Sequence, residues 1–210
     1  MAKIFQVTAR AALTRVVEPL ARVLLRAGVS PNAVTVTGTA GVLVGALGFG
    51  ARGQLVAGAV IVTFFALTDL LDGTMARMRG GSSRFGAFLD SSMDRVADGA
   101  VFGAVTYWLA TRDDHLGVAL GLTCLVTGQL VSYVKARAEG LGLTANVGIA
   151  ERTERLIIVG IGGLLTGAGV GWGLAASLAV LAVLSIVTIG QRVAHIYRAA
   201  ERADAEDIST

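Results

Sequence analysis

Charged residues are scarce in this 210-residue chain, at 16%, where a soluble globule carries about a quarter. That shortage argues against a fold with a fully wetted exterior. Cysteine occurs once, at Cys124 in the apolar run GLTCLVTG, so no disulfide framework is available. Histidine occurs twice, at His115 and His195, and both are far in sequence from the acidic segment Asp69–Asp94. The first residues, MAKIFQVTARAALTRVVEPLARVLLRAG, lack an unbroken apolar core followed by a small-residue cleavage site, so no cleavable signal peptide is expected. Repeats of the solenoid type and low-complexity tails are also missing, apart from the short polar end ERADAEDIST. What fills the chain instead is apolar: hydrophobic residues make up 54% and mean hydropathy is +0.69. The composition is that of an integral membrane protein.

Apolar runs approach the ~20 residues needed to cross a bilayer core at 33–51, 54–77, 87–111, 116–138, 152–171 and 173–198. The fold expected is therefore all-α and integral to the membrane, with six transmembrane helices. With the N-terminus inside, every Lys and Arg except Arg52 and Arg112 falls on the cytoplasmic side. This bias places both termini in the cytoplasm and favours an even number of spans. Across residues 8–27, Leu13, Val16, Val17, Leu20, Val23, Leu24 and Ala27 recur at helical spacing, with Arg15, Arg22 and Arg26 mostly between them. That pattern predicts an amphipathic helix lying in the interface, its arginines near anionic headgroups. Ser30-Pro31-Asn32 then reads as a restart, with Ser30 as N-cap and Pro31 at the first helical position. Three parts follow: 1–30, a cytoplasmic N-terminus with its juxtamembrane helix; 31–199, the six-helix domain; and 200–210, a polar cytoplasmic tail. Glycine is abundant, and Gly41 and Gly45 have the small-xxx-small spacing of closely packed helices.

One segment breaks the apolar pattern: DLLDGTMARMRGGSSRFGAFLDSSMD, Asp69 to Asp94. In a helix, Asp69 and Asp72 share a face, as do Asp90 and Asp94, and Gly80-Gly81-Ser82-Ser83 between them reads as a turn. A helical hairpin with a cytoplasmic tip brings the four carboxylates together. They would repel unless a cation neutralised them, and such an oxygen-rich site suits Mg2+ or Mn2+, especially with phosphates completing the coordination. Gly73 and Gly86 beside the acids, with the small Ala76, let a bulky ligand approach the backbones. Arg77 adds a fork matched to phosphate.

These residues, Asp69, Asp72, Gly73, Ala76, Arg77, Gly86, Asp90 and Asp94, fill every fixed position of Asp-x2-Asp-Gly-x2-Ala-Arg-x8-Gly-x3-Asp-x3-Asp. The sequence in this respect resembles the CDP-alcohol phosphotransferases, and the six-span layout and amphipathic start are similar to that family's fold. The resemblance implies transfer of a substituted phosphate from a CDP-linked donor to an alcohol, with release of CMP and use of a divalent metal. It implies Asp69, Asp72 and Asp90 as metal ligands, Asp94 as general base and possible further ligand, and a homodimer. Gly73, Ala76 and Gly86 would leave room for the nucleotide, Arg77 would help hold it with Asp69 alongside, and Asn32 sits where the family often carries nucleotide contacts. No serine, cysteine or histidine accompanies the acids as a nucleophile, which favours a single displacement.

A site open to cytoplasm and lipid suits CDP-diacylglycerol as donor. Lys135, Arg155 and Arg192 end or begin three spans on the cytoplasmic side, and gathered cations recognise phosphate, so an acceptor alcohol bearing a phosphate is expected. Arg192 carries particular weight here because no nearby acid in the sequence pairs with it. Arg137 and Arg152 belong to the same cytoplasmic-side group of charges, but for them, as for Arg198 and Arg202, positive-inside anchoring is a sufficient explanation. Within the family, VSYVKARAEGLG followed by ERTERL resembles the actinobacterial phosphatidylinositol phosphate synthases, which implies inositol phosphate as the acceptor. Glycerol 3-phosphate, the acceptor of phosphatidylglycerol phosphate synthases, demands a cationic pocket too and stands as the alternative. An ion-coupled transporter would need polar groups spread through the bilayer depth, whereas these acids cluster at one face. Membrane lipid, and no nucleic acid, is the expected macromolecular surrounding.

Overall fold

Ser30 opens the first long helix as its sequence context predicts: its Oγ accepts a hydrogen bond from the Ala33 amide at 3.1 Å, and Pro31 takes the first turn. The computed structural model describes residues 17–209; the regular elements among them are all helical, joined by short turns except for an irregular segment over 140–151. A helix over 17–26 (α1) precedes α2 (Pro31–Leu43), which runs on through a π turn at Val44–Phe49 and a 3-10 turn at Gly50–Arg52. Then come α3 (Leu55–Ala66), α4 (Thr68–Met78), α5 (Arg84–Ala110), α6 (His115–Glu139), α7 (Arg152–Gly167) and α8 (Gly173–Ser209). The polar end of the chain continues α8 rather than leaving it.

Among the described residues, four segments are long and apolar enough to cross a membrane: Pro31–Arg52, Leu55–Met78, His115–Glu139 and Gly173–Arg202. The run expected over 54–77 is interrupted only at Leu67, which separates α3 from α4, the helix that bears Asp69 and Asp72. Large apolar side chains are exposed along these segments, among them Val60, Phe64, Val126, Val183 and Ile186. An apolar exterior of this extent has no place in water, and the backbone polar groups beneath it are satisfied within helices, as a bilayer requires. The protein is membrane-embedded.

The interior core gathers Phe102, Leu174, Leu178, Leu181 and Cys124 from α5, α6 and α8. Gly41 and Gly45 bring α2 and its π turn against α3: a Cβ on Gly41 would collide with the Phe65 ring, and one on Gly45 would lie 2.8 Å from Ile61. A smaller cluster joins Ala21 of α1 to Val34 of α2 and Met75 of α4. Of the amphipathic helix expected over 8–27, residues 8–16 lie outside the described residues. The remainder is helical, with Ala21 buried and Leu20 and Val23 exposed. Through Ala21 it braces the helix that carries the first acidic pair.

Candidate active site

The chain reverses between α4 and α5 at Gly80 and Gly81, whose φ values of +96° and +119° favour glycine. Ser83 then caps α5, its Oγ accepting from the Gly86 amide at 2.9 Å. Both α4 and α5 pack on α2, and between them opens a cavity of about 450 Å³. Asp69, Asp72, Asp90 and Asp94 all line it, together with Asn32, Gly73, Ala76 and Gly86. A Cβ on Gly73 would find only Arg77 Nη1, at 3.6 Å, so this wall is open to a ligand. A Cβ on Gly86 would lie 3.2 Å from Asn32 Oδ1, which places Asn32 and Gly86 face to face. Arg77 itself does not line the cavity. It is exposed at the rim and donates to Thr74 Oγ1 at 2.8 Å, while Arg79 lines the wall.

Three of the four acids are held by specific partners. Asp72 is buried and its Oδ2 accepts a 2.6 Å hydrogen bond from Thr35 on α2. Arg152, first residue of α7, places Nη1 between Asp69 Oδ2 and Asp94 Oδ1, the latter at 2.9 Å. Its Nε faces Asp98 Oδ1 at 3.4 Å. Among the described residues no three acidic, imidazole or thiol side chains close into a ready-made metal cage; the carboxylates stand on the cavity walls. Four carboxylates and no competing nitrogen or sulfur donor form the ligand chemistry of Mg2+ or Mn2+, and the residues present fit such an ion.

A second cavity of about 260 Å³ adjoins the first, and Lys135, Arg155 and Arg192 line it with Arg95, Arg152, Ser132 and Glu151. Arg155 is 1% exposed, and its Nη2 is bonded to Asp98 Oδ2, which is itself 2% exposed. Gly128 makes room for it, since a Cβ there would lie 3.3 Å from Arg155 Nε. Arg192 corrects the reading that it lacks an acid: Glu151 Oε1 lies 3.0 Å from its Nη2. Its Nε and Nη1 donate to the carbonyls of Val147 and Val131 at 2.8 and 2.6 Å. The acid was missed because it lies 41 residues away in sequence.

A third cavity, apolar and about 340 Å³, runs between α3, α5 and α7 and ends on Asp69 and Arg152. Arg152 is therefore no mere anchoring charge, and this too corrects the sequence reading. It could have been noticed from ERTER, where Arg152 and Arg155 share a helical face. Asp98 had a signal as well, one turn beyond Asp94 on the stripe of Asp90 and Asp94.

Comparison with known proteins agrees with this geometry. The family model described as CDP-alcohol phosphatidyltransferase matches residues 28–190. The phosphatidylinositol phosphate synthase of Mycobacterium marinum is 52% identical over 192 residues, covering 87% of this chain and 80% of that one. The enzyme of that name from Streptomyces avermitilis is 48% identical over 205 residues, covering 94% and 84%. The crystal structure of Mycobacterium tuberculosis phosphatidylinositol phosphate synthase with CDP-DAG bound superposes with a TM-score of 0.82 at 46% identity, covering 87% of this chain and 94% of that one. Its complex with manganese and citrate gives a TM-score of 0.81 at 47% identity, covering 85% and 88%. With the motif residues lining one cavity and a match spanning most of its length, the chain belongs to the CDP-alcohol phosphatidyltransferase family.

Proposed function

We propose that the protein is a phosphatidylinositol phosphate synthase, moving the phosphatidyl group of CDP-diacylglycerol onto inositol phosphate and releasing CMP. The observation that carries this reading is the adjacency of an acid-lined cavity and a basic one, with Arg152 in the wall of both. A phosphate-bearing acceptor held by the basic cavity presents its hydroxyl towards a donor phosphorus held over the acids. The names of the relatives support inositol phosphate as that acceptor.

Asp69, Asp72 and Asp90, with Asp94, hold Mg2+ or Mn2+, which when bound neutralises charge on the pyrophosphate and on departing CMP. Asp94 takes the proton of the attacking hydroxyl. Gly73, Ala76 and Gly86 leave the space the cytidine nucleotide needs, with Asn32 and Asp69 beside it, and Arg77 reaches it from the rim. Lys135, Arg155 and Arg192 take the acceptor phosphate. Arg155 and Arg192 are already fixed by Asp98, Glu151 and backbone carbonyls, so little side-chain freedom is lost when the phosphate arrives.

The same reading sets the protein in the membrane through six spans, at 33–51, 54–77, 87–111, 116–138, 152–171 and 173–198, with α1 in the interface. Both termini, the 1–30 segment, the 200–210 tail and the mouth of the site face the cytoplasm, and two copies form a homodimer. CMP release by the purified protein with CDP-diacylglycerol and Mg2+ tests the function, comparing inositol phosphate, inositol and glycerol 3-phosphate. Inositol phosphate is expected to give the highest kcat/KM. A higher value with glycerol 3-phosphate would make the protein a phosphatidylglycerol phosphate synthase instead.

A further inference from the structure

Arg152 lines all three cavities, and its charge is spent in an unusual way. One nitrogen, Nη1, takes a carboxylate from each wall of the acidic cavity, Asp69 from α4 and Asp94 from α5. The other end of the guanidinium, Nε, stays with Asp98 in the wall shared with the basic cavity. The side chain is largely buried, at 19% exposure, as are the acids it meets, so these attractions are poorly screened by salt. A guanidinium so placed neutralises two acids that would otherwise repel. It also occupies carboxylate oxygens that a divalent cation would require.

We propose that Arg152 is a built-in counter-ion of the acidic site, which gives up Asp69 and Asp94 when a divalent cation takes them and then offers its freed charge to the acceptor phosphate. The inference rests on the reading of Asp69 and Asp94 as metal ligands and adds an order of events to it. Before metal loading, the Arg152 charge is matched by carboxylates and adds little to the basic cavity. After loading, Asp98 still tethers Nε, so the released fork remains at the boundary of the two cavities. Because coupling between two sites is reciprocal, Arg152 weakens metal binding by the factor by which metal loosens Arg152, and metal strengthens acceptor binding.

The test measures Mn2+ binding to the full-length protein in detergent by electron paramagnetic resonance, and inositol phosphate binding by calorimetry with and without Mn2+. Arg152→Ala is expected to bind Mn2+ on the order of tenfold more tightly than wild type. In wild type, Mn2+ should tighten inositol phosphate binding, and in the variant that dependence should largely vanish. Thermal melting supplies a further readout: Arg152→Ala should melt earlier without Mn2+ and regain the loss when Mn2+ is added. Arg152→Lys, which keeps a charge but not the fork, should lie between the two proteins in Mn2+ affinity. If Arg152→Ala does not fold, Arg152→Gln carries the same expectation. Unchanged or weaker Mn2+ binding by a folded neutral variant overturns the counter-ion role alone. Absence of Mn2+ binding by wild type overturns the metal-site reading, and this inference with it.

Discussion

Replacing Asp98 by Asn removes one negative charge from the middle of an arginine cluster while keeping the side chain's shape. Arg155 bonds to Asp98 Oδ2, Arg152 Nε lies 3.4 Å from Oδ1, and Arg95 Nη2 approaches Oδ2 at 3.9 Å. Asp98 and Arg155 are both almost wholly buried, so loss of the carboxylate leaves a guanidinium in the interior with no counter-charge. Breaking a buried pair from one side costs about 3–5 kcal/mol, and since Asn still accepts a hydrogen bond, the lower end, about 3 kcal/mol, is expected. For a domain of this size each kcal/mol moves the melting temperature by about 2–4 °C, so the variant should melt about 6–12 °C below wild type. Melting in detergent can be followed through the fluorescence of Trp108 and Trp172. Adding Arg155→Met to Asp98→Asn removes the stranded charge and should recover part of the loss. A single variant melting within about 1 °C of wild type, or a double variant less stable than the single one, would refute the assignment of Asp98 as the electrostatic anchor of the basic cavity.

Asp94→Asn should abolish CMP release while the folded protein still binds CDP-diacylglycerol; turnover at the wild-type rate eliminates Asp94 as the base. Gly73→Ala meets no protein atom closer than 3.6 Å and replaces a glycine inside α4, so its melting temperature should equal or exceed that of wild type, yet the new methyl stands on the wall of the acidic cavity. An overpacked contact costs about 1–3 kcal/mol, so the KM for CDP-diacylglycerol should rise by about five- to 150-fold; an unchanged KM would put the nucleotide elsewhere. Lys135→Ala removes a cation from the basic cavity and should chiefly raise the KM for the acceptor, leaving that for CDP-diacylglycerol alone. An acceptor KM equal to wild type would take Lys135 out of the phosphate pocket.

The acidic half of the site was legible in the sequence because its logic is local. Asp69 with Asp72, and Asp90 with Asp94, follow the i,i+3 and i,i+4 rule, and the glycines that turn the chain lie between them, so short-range geometry alone predicts one shared cavity. Ser30 and Pro31 were equally readable, since a helix start is written in consecutive residues. The partners that hold the acids were not. Thr35 reaches Asp72 from 37 residues away, and Arg152 reaches Asp69 from 83; no periodicity carries that information. For the same reason Arg192 looked unpaired and Arg152 looked like an anchoring charge, when each meets an acid that only the packed helices deliver.

Asp98 and Arg152 explain why two cavities of opposite charge can stand side by side in a low-dielectric interior. Had the four acids of α4 and α5 faced the arginines of α7 and α8 directly, they would have paired, and neither cavity would retain charge for a substrate. Asp98 prevents this by holding Arg155 and the near end of Arg152 one helical turn beyond Asp94, outside the acidic cavity. Glu151 and the carbonyls of Val131 and Val147 hold Arg192 in the same manner. Across the boundary the tip of Arg152 meets two of the four acids, and Arg95 Nη2 comes only within 3.9 Å of Asp94. The charges that a phosphate donor and a phosphate-bearing acceptor need thus stay apart because Arg152, Arg155 and Arg192 are each tethered by an acid or carbonyl of the protein itself.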